Sequence, residues 1–161
     1  MKRNYLFVVM VVFFGVISGN AAAHHERKDT SIVLDYLEDS TVQLGSVLYA
    51  EQCASCHGRN LEGQPDWHKR DQDGYLPAPP HDETGHTWHH TDKDLFEMTK
   101  YGIQAFAGEE YKTRMPAYKD ILSDREIIGV LSFIKSRWPA EVIQIHNEPV
   151  SYTHLTLPTK A

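Results

Sequence analysis

The stretch "EQCASCHGRN" (residues 51–60) contains the only two cysteines of a 161-residue chain. Cys53 and Cys56 stand three positions apart, and His57 follows directly. Two thiols at this spacing followed by histidine read as a c-type haem attachment site. The chemistry explains the spacing. Each thiol adds to one vinyl group of the porphyrin, and the two vinyls lie on neighbouring rings that one turn of chain can bridge. The next side chain then lies beneath the ring centre, where the imidazole of His57 reaches the iron. Rival uses of the pair fit less well. A zinc ribbon needs a second ligand pair, and no further cysteine exists. A thioredoxin-like redox pair belongs beside a βαβ pattern, and none is present. A plain disulfide suits an exported chain but gives no role to His57.

Working outward, three amphipathic helices stand out and no strand pattern does, which predicts an all-α domain. The first spans about Val42 to Ala54, with Ser40 and Thr41 as expected N-caps. The second opens at Thr91-Asp92-Lys93-Asp94, carries Leu95, Phe96 and Met98, and stops near Gly102. The third opens at Ser123-Asp124-Arg125-Glu126. It carries Ile127, Val130, Leu131, Phe133 and Ile134 at helical spacing and stops before Pro139. Between the first two lies a long loop, Gly58 to His90, rich in Gly, Pro, Asp and His. A loop of that length needs a reason to be ordered, and three short helices supply little apolar surface. One haem, wrapped by the loop and clamped by the helices, meets both needs.

The chain ends read differently from its middle. Lys2 and Arg3 precede a nearly continuous apolar run, Tyr5 to Ile17, and Ala21-Ala22-Ala23 fits a small-residue cleavage site. Residues 1–23 are therefore expected to be a secretory signal peptide, with an uncleaved membrane anchor as the alternative. Residues 24–40, which begin with His24 and His25, are expected to be a flexible N-terminal segment. A single domain is expected over 41–140, followed by a C-terminal segment at 141–149. The last stretch, 150–161, contains "VSYTHLTLPT", which resembles one reading frame of a transposon-based sequencing adapter, and is set aside as an artefact. What remains, residues 24–149, carries 13 Lys+Arg and 22 Asp+Glu, so its net charge is 13 − 22 = −9 with His neutral. Such a balance argues against nucleic-acid binding, which demands a basic face.

Two methionines lie in that span. Met98 sits on the apolar face of the second helix and is expected in the core. Met115 lies in "TRMPAYKD", outside any helix, where Pro116 stiffens the backbone that would present its thioether to iron. At this point the sequence resembles a class I c-type cytochrome over about Val42 to Pro139. "CASCHG" matches the attachment motif and "RMPAY" the distal-methionine motif. "GSVLYAEQC" places Gly45, Tyr49 and Cys53 four apart, as in the family's N-terminal helix, and "DREIIGVLSFIKSRW" is similar to its C-terminal helix. The resemblance implies that these two helices cross near a right angle, that Gly45 lets their backbones approach, and that Tyr49 meets Val130 and Phe133. It also implies His57 and Met115 as axial ligands of one haem.

The interval from His57 to Met115 is 58 residues and carries an insert, "WHKRDQDGYLPAPPHDETGHTWHH". In the family a proline carbonyl in this region accepts a hydrogen bond from the proximal imidazole. Pro79 and Pro80 are the choices, and Pro80 is taken as the expected residue, with Trp88 and His86 as donors to the haem propionates. His81, His86, His89 and His90, with His68 nearby, offer a rival copper or zinc site. Against it, Gly85 and Thr87 favour a loop, and these imidazoles have ordinary uses as helix caps, propionate contacts or solvated groups. The expected function is an exported, single-haem carrier of electrons between redox partners, periplasmic or membrane-anchored, with no catalysis at the iron. The alternatives are a haem enzyme or gas sensor with a labile Met115, and a cytochrome subunit of a dehydrogenase or oxidase.

Overall fold

The computed structural model describes residues 31–148. The expected signal peptide, residues 24–30 and the adapter-like tail lie outside the described residues. Six helices form the described chain: α1 (Asp39–Gln52), α2 (Ala54–His57), α3 (Asp92–Tyr101), α4 (Gln104–Ala107), α5 (Asp124–Ser136) and α6 (Ala140–Asn147), with one 3₁₀ turn at Thr87–His89. Among the described residues there is no strand, so the all-α expectation holds. No described helix is long and apolar enough to cross a membrane.

Helix starts follow from side chains that satisfy the first free N–H groups. Ser123 and Glu126 form the complete reciprocal capping box at α5. Thr91 caps α3 by accepting from the Asp94 N–H at 3.1 Å. At α1 the sequence expectation is corrected. The helix starts at Asp39, and its cap is Glu38, whose carboxylate accepts from the Ser40 and Thr41 N–H groups. A carboxylate there also meets the positive end of the helix, and the hydrogen bond from the Ser40 hydroxyl at 2.7 Å, with those from Thr41 behind it, holds the Glu38 carboxyl down at about 2. Replacing Ser123 with alanine removes one cap of the helix that carries the core. It is expected to lower stability by about 1 kcal/mol, read as a shift in the urea midpoint.

Ile127, Val130, Leu131 and Ile134 line one face of α5 and are buried with Tyr49, Leu95, Phe96 and Trp138. Burying each such aliphatic side chain is worth about 1.5–3 kcal/mol, so α5 is the centre of the core. Met98 packs against this core, as its place on α3 predicts. Helices α1 and α5 approach closely at two glycines. A Cβ built on Gly45 would lie 1.9 Å from the Gly129 carbonyl oxygen. One turn on, the Tyr49 ring meets Phe133 at 5.4 Å between centroids. The family-based expectations for Gly45 and for Tyr49 with Phe133 are thus seen in the packing.

Both flanks pack on the domain. From residue 31 on, the segment expected to be flexible is docked: Leu34 is buried, and its N–H donates to the Asp92 carboxylate at 2.9 Å. The expected C-terminal segment contains helix α6, whose His146 reaches the same carboxylate at 2.6 Å. Asp92 also holds Lys135 of α5 at 3.0 Å, and the Lys135 and His146 side chains are only 3% and 2% exposed. Four separate pieces of chain therefore meet at one half-buried acid.

Candidate functional site

Helix α1 ends at Gln52, and the chain turns into α2, so that Cys53, Cys56 and His57 fall within one compact turn. The His57 and Cys56 N–H groups both donate to the Cys53 carbonyl, at 2.9 and 3.1 Å. Gly58, at φ +81°, stops α2 in a conformation that favours glycine. Its carbonyl accepts from the Tyr49 hydroxyl at 2.8 Å, which ties the turn back onto α1. Cys56 is exposed and Cys53 half-buried. Burial pushes the Cys53 thiol up to about 11.

The imidazole of His57 is buried. Its Nδ1 donates to the carbonyl of Pro79 at 2.9 Å. This corrects the expected Pro80, whose carbonyl turns instead toward the Thr87 hydroxyl at 3.4 Å. The cause lies in how two strips of loop run side by side. Gly63 N–H donates to the His57 carbonyl at 2.8 Å, Gln64 N–H to Ala78 at 2.8 Å, and His81 N–H to Leu61 at 2.7 Å. The ladder sets the register of Ala78 to His81 and leaves the Pro79 carbonyl for the imidazole. Glycine is required at 63, since a Cβ there would lie 2.4 Å from the Pro80 nitrogen.

That bond decides the chemistry of the ring. A carbonyl only accepts, so Nδ1 carries the proton, and in the neutral ring the lone pair sits on Nε2. Burial pushes the His57 imidazole below the usual histidine range, and the Pro79 bond works the other way. At neutral pH the ring is therefore a neutral donor of one fixed nitrogen.

Beside it lies a residue that the motif-based reading left inside a histidine cluster. The His81 ring stacks on His57, with centroids 4.0 Å apart and planes at 18°. Its Nδ1 pairs with the Thr87 hydroxyl at 2.7 Å, and its carbonyl accepts from the Trp138 indole at 2.7 Å. Burial above all, and then the neighbouring His57 and His86, hold the His81 imidazole well below its ordinary range. No signal in the sequence separates His81 from its neighbours, because its partners stand up to 57 positions away.

The other two expected donors, Trp88 and His86, lie in the same loop. The Trp88 indole N–H donates to the Glu83 carbonyl at 3.3 Å, and its ring stacks on His89. His86 is exposed and stacks on Trp67. Among the described residues, no group of three or more His, Cys, Asp or Glu is placed to hold a metal ion.

Met115 is half-buried and packs against the same core as Cys53 and Ala54. From Tyr111 to Ala117 exposure alternates residue by residue, with Tyr111, Thr113, Met115 and Ala117 facing inward. This is the period-two pattern of an extended chain. Three residues on, the Tyr118 hydroxyl donates to the Gln52 carbonyl at 2.9 Å, joining the methionine segment to the end of α1.

The cytochrome c family profile matches residues 42–138, more than half of the chain. The chain belongs to the cytochrome c family. No curated protein and no solved structure matches it. The matched span of this cytochrome c runs from the first turn of α1 through Trp138, so it contains the attachment turn, the Pro79 ladder and the methionine segment. A cytochrome c domain makes the chain a haem-binding electron carrier that works with redox partner proteins. Covalently bound haem c is the cofactor that the family implies, and the donor set fits it: two thiols within one turn, and a neutral imidazole with its lone pair fixed on Nε2.

Proposed function

We propose that this chain is an exported, single-haem cytochrome c that passes single electrons between redox partners, with His57 and Met115 as the two axial ligands. The observation that carries the proposal is the His57–Pro79 hydrogen bond at 2.9 Å, which presents Nε2 as a ligand one residue after the second of two thiols. With two cysteines in the whole chain, there is one attachment pair and hence one covalent haem. Bound there, haem supplies one reversible one-electron couple.

The protein's own groups do the rest. Cys53 and Cys56 fix the position of the macrocycle by thioether bonds. Pro79 orients the His57 ring and raises its basicity. The Met115 thioether favours ferrous iron and raises the potential. With His57 and Met115 both holding the iron, no position would be left for substrate, and the protein would transfer electrons without catalysing a reaction. Export rests on the apolar run Tyr5 to Ile17 and the alanines that follow it. The net charge of −9 over residues 24–149 suits a basic docking face on the partner, and the rate of electron exchange should fall as salt is added.

The test is an optical spectrum of the haem-loaded protein. Ferric wild type should show the weak far-red band of a sulfur-to-iron bond, and Met115→Ala should lose it. A wild type that lacks the band and binds carbon monoxide readily would mean an open distal site, as in a gas sensor or haem enzyme.

A further inference from the structure

The insert that lengthens the interval between His57 and Met115 folds into a small closed turn over residues 71–75. Asp71 N–H donates to the Tyr75 carbonyl at 2.8 Å, and the Asp71 Oδ1 accepts from the Asp73 and Tyr75 N–H groups at 3.0 and 2.8 Å. These bonds, with the Tyr75 N–H bond first and the Arg114 pairing behind it, hold the Asp71 carboxyl below its ordinary range. Its other oxygen, Oδ2, accepts from Arg114 at 2.8 Å. The Arg114 guanidinium lies 3.9 Å above the centre of the Tyr75 ring. Two positions earlier, Lys112 donates to the Asp73 carbonyl at 2.8 Å. From the insert side, Arg70 donates to the Gly74 carbonyl at 2.7 Å and lies 5.4 Å from the Tyr111 ring.

We propose that this turn is a clasp on the methionine segment, with Arg114 as the positioning residue that sets how firmly Met115 is held toward the iron. The geometry supports it in one step. Lys112 and Arg114 are the outward residues of the extended run, and both are engaged by the turn. In an extended chain, fixing one face fixes the other, so Thr113 and Met115 are held inward. The far end is already pinned by Tyr118 on Gln52 and by the Tyr118 N–H on the Thr99 carbonyl at 3.1 Å. Without the clasp, the chain before Met115 keeps only more distant ties at Tyr111, whose carbonyl accepts from the Gln104 amide at 3.0 Å. The planar guanidinium pairs with a carboxylate and stacks on a ring at once, a combination that lysine or glutamine does not reproduce.

The proposal rests on Met115 being an axial ligand, as inferred above, and the experiment separates the two. Haem-loaded ferric wild type, Met115→Ala, Arg114→Gln and Asp71→Asn are titrated with imidazole while the far-red band is followed. Arg114→Gln and Asp71→Asn are expected to bind imidazole more tightly than wild type, by up to about fivefold, the range an exposed ion pair supports. The double variant should add little to either single change, since both break one contact. Far-UV circular dichroism should be unchanged in both. If Arg114→Gln does not fold, Tyr75→Leu removes the ring alone and should shift the titration the same way. Wild-type imidazole affinity in all the clasp variants, with the band present and lost in Met115→Ala, overturns the clasp and leaves the ligand assignment standing. Absence of the band in wild type overturns both.

Discussion

Gly45→Ala is expected to destabilise the haem-loaded protein by about 2–3 kcal/mol, whereas Gly129→Ala, at the facing glycine, should be neutral or stabilising by up to about 1 kcal/mol. Both substitutions gain the same helix propensity, about 1 kcal/mol. What differs is the space. The new Cβ at 45 would sit 1.9 Å from the Gly129 oxygen and 2.4 Å from its carbonyl carbon, both backbone atoms of a buried helix that cannot step aside. Helix α1 would have to back away from α5, opening the core around Tyr49 and Phe133. The Cβ at 129 would meet its nearest atoms at 3.5 Å, an ordinary contact. Urea unfolding of the two variants decides the matter. Equal effects would show that the helices do not approach in this register.

Asp92→Asn should cost about 3–5 kcal/mol, because the change strips the charge partner from a buried lysine. Asp92 accepts from Lys135, His146 and the Leu34 N–H. Both ring nitrogens of His146 face acceptors, Asp92 and the Trp88 carbonyl at 3.0 Å, and a neutral ring can donate to only one of them. Burial works to raise the Asp92 carboxyl, but the hydrogen bonds from His146, Leu34 and Lys135 outweigh it and hold it below its ordinary 3.8. A depressed carboxyl contributes stability that is fully present above the unfolded value and is lost as pH falls through the folded one. The gap between wild type and Asp92→Asn should therefore be constant near neutrality and narrow below about pH 4. Melting curves at several pH values test this, and a gap that widens in acid would contradict it.

That network was out of reach of local patterns. Its members come from residues 34, 92, 135 and 146, and Asp92 reads in sequence as a first-turn acid of α3 and nothing more. Helix α6 went unseen for a related reason: it is eight residues long, and its partner is the Thr87–His89 turn rather than the helix beside it in sequence. The three longer helices were legible because their caps and apolar periods are local properties. The attachment turn was legible because covalent chemistry dictates its spacing. Pro79 against Pro80 could not be settled from sequence, since the choice depends on the register that Gly63 and Leu61 impose across the loop. Trp88 and His86 were assigned by residue type alone; the structure pairs the Trp88 indole with the Glu83 carbonyl and stacks His86 on Trp67.

The central claim is that one haem is joined covalently to the turn at Cys53–His57. Its most direct test is the mass of the denatured protein after expression with c-type maturation machinery, measured beside Cys53→Ser/Cys56→Ser. The wild type should carry the mass of one haem through denaturation, and the double variant none. A wild-type chain that releases its haem on denaturation, or that never acquires one, would contradict the claim.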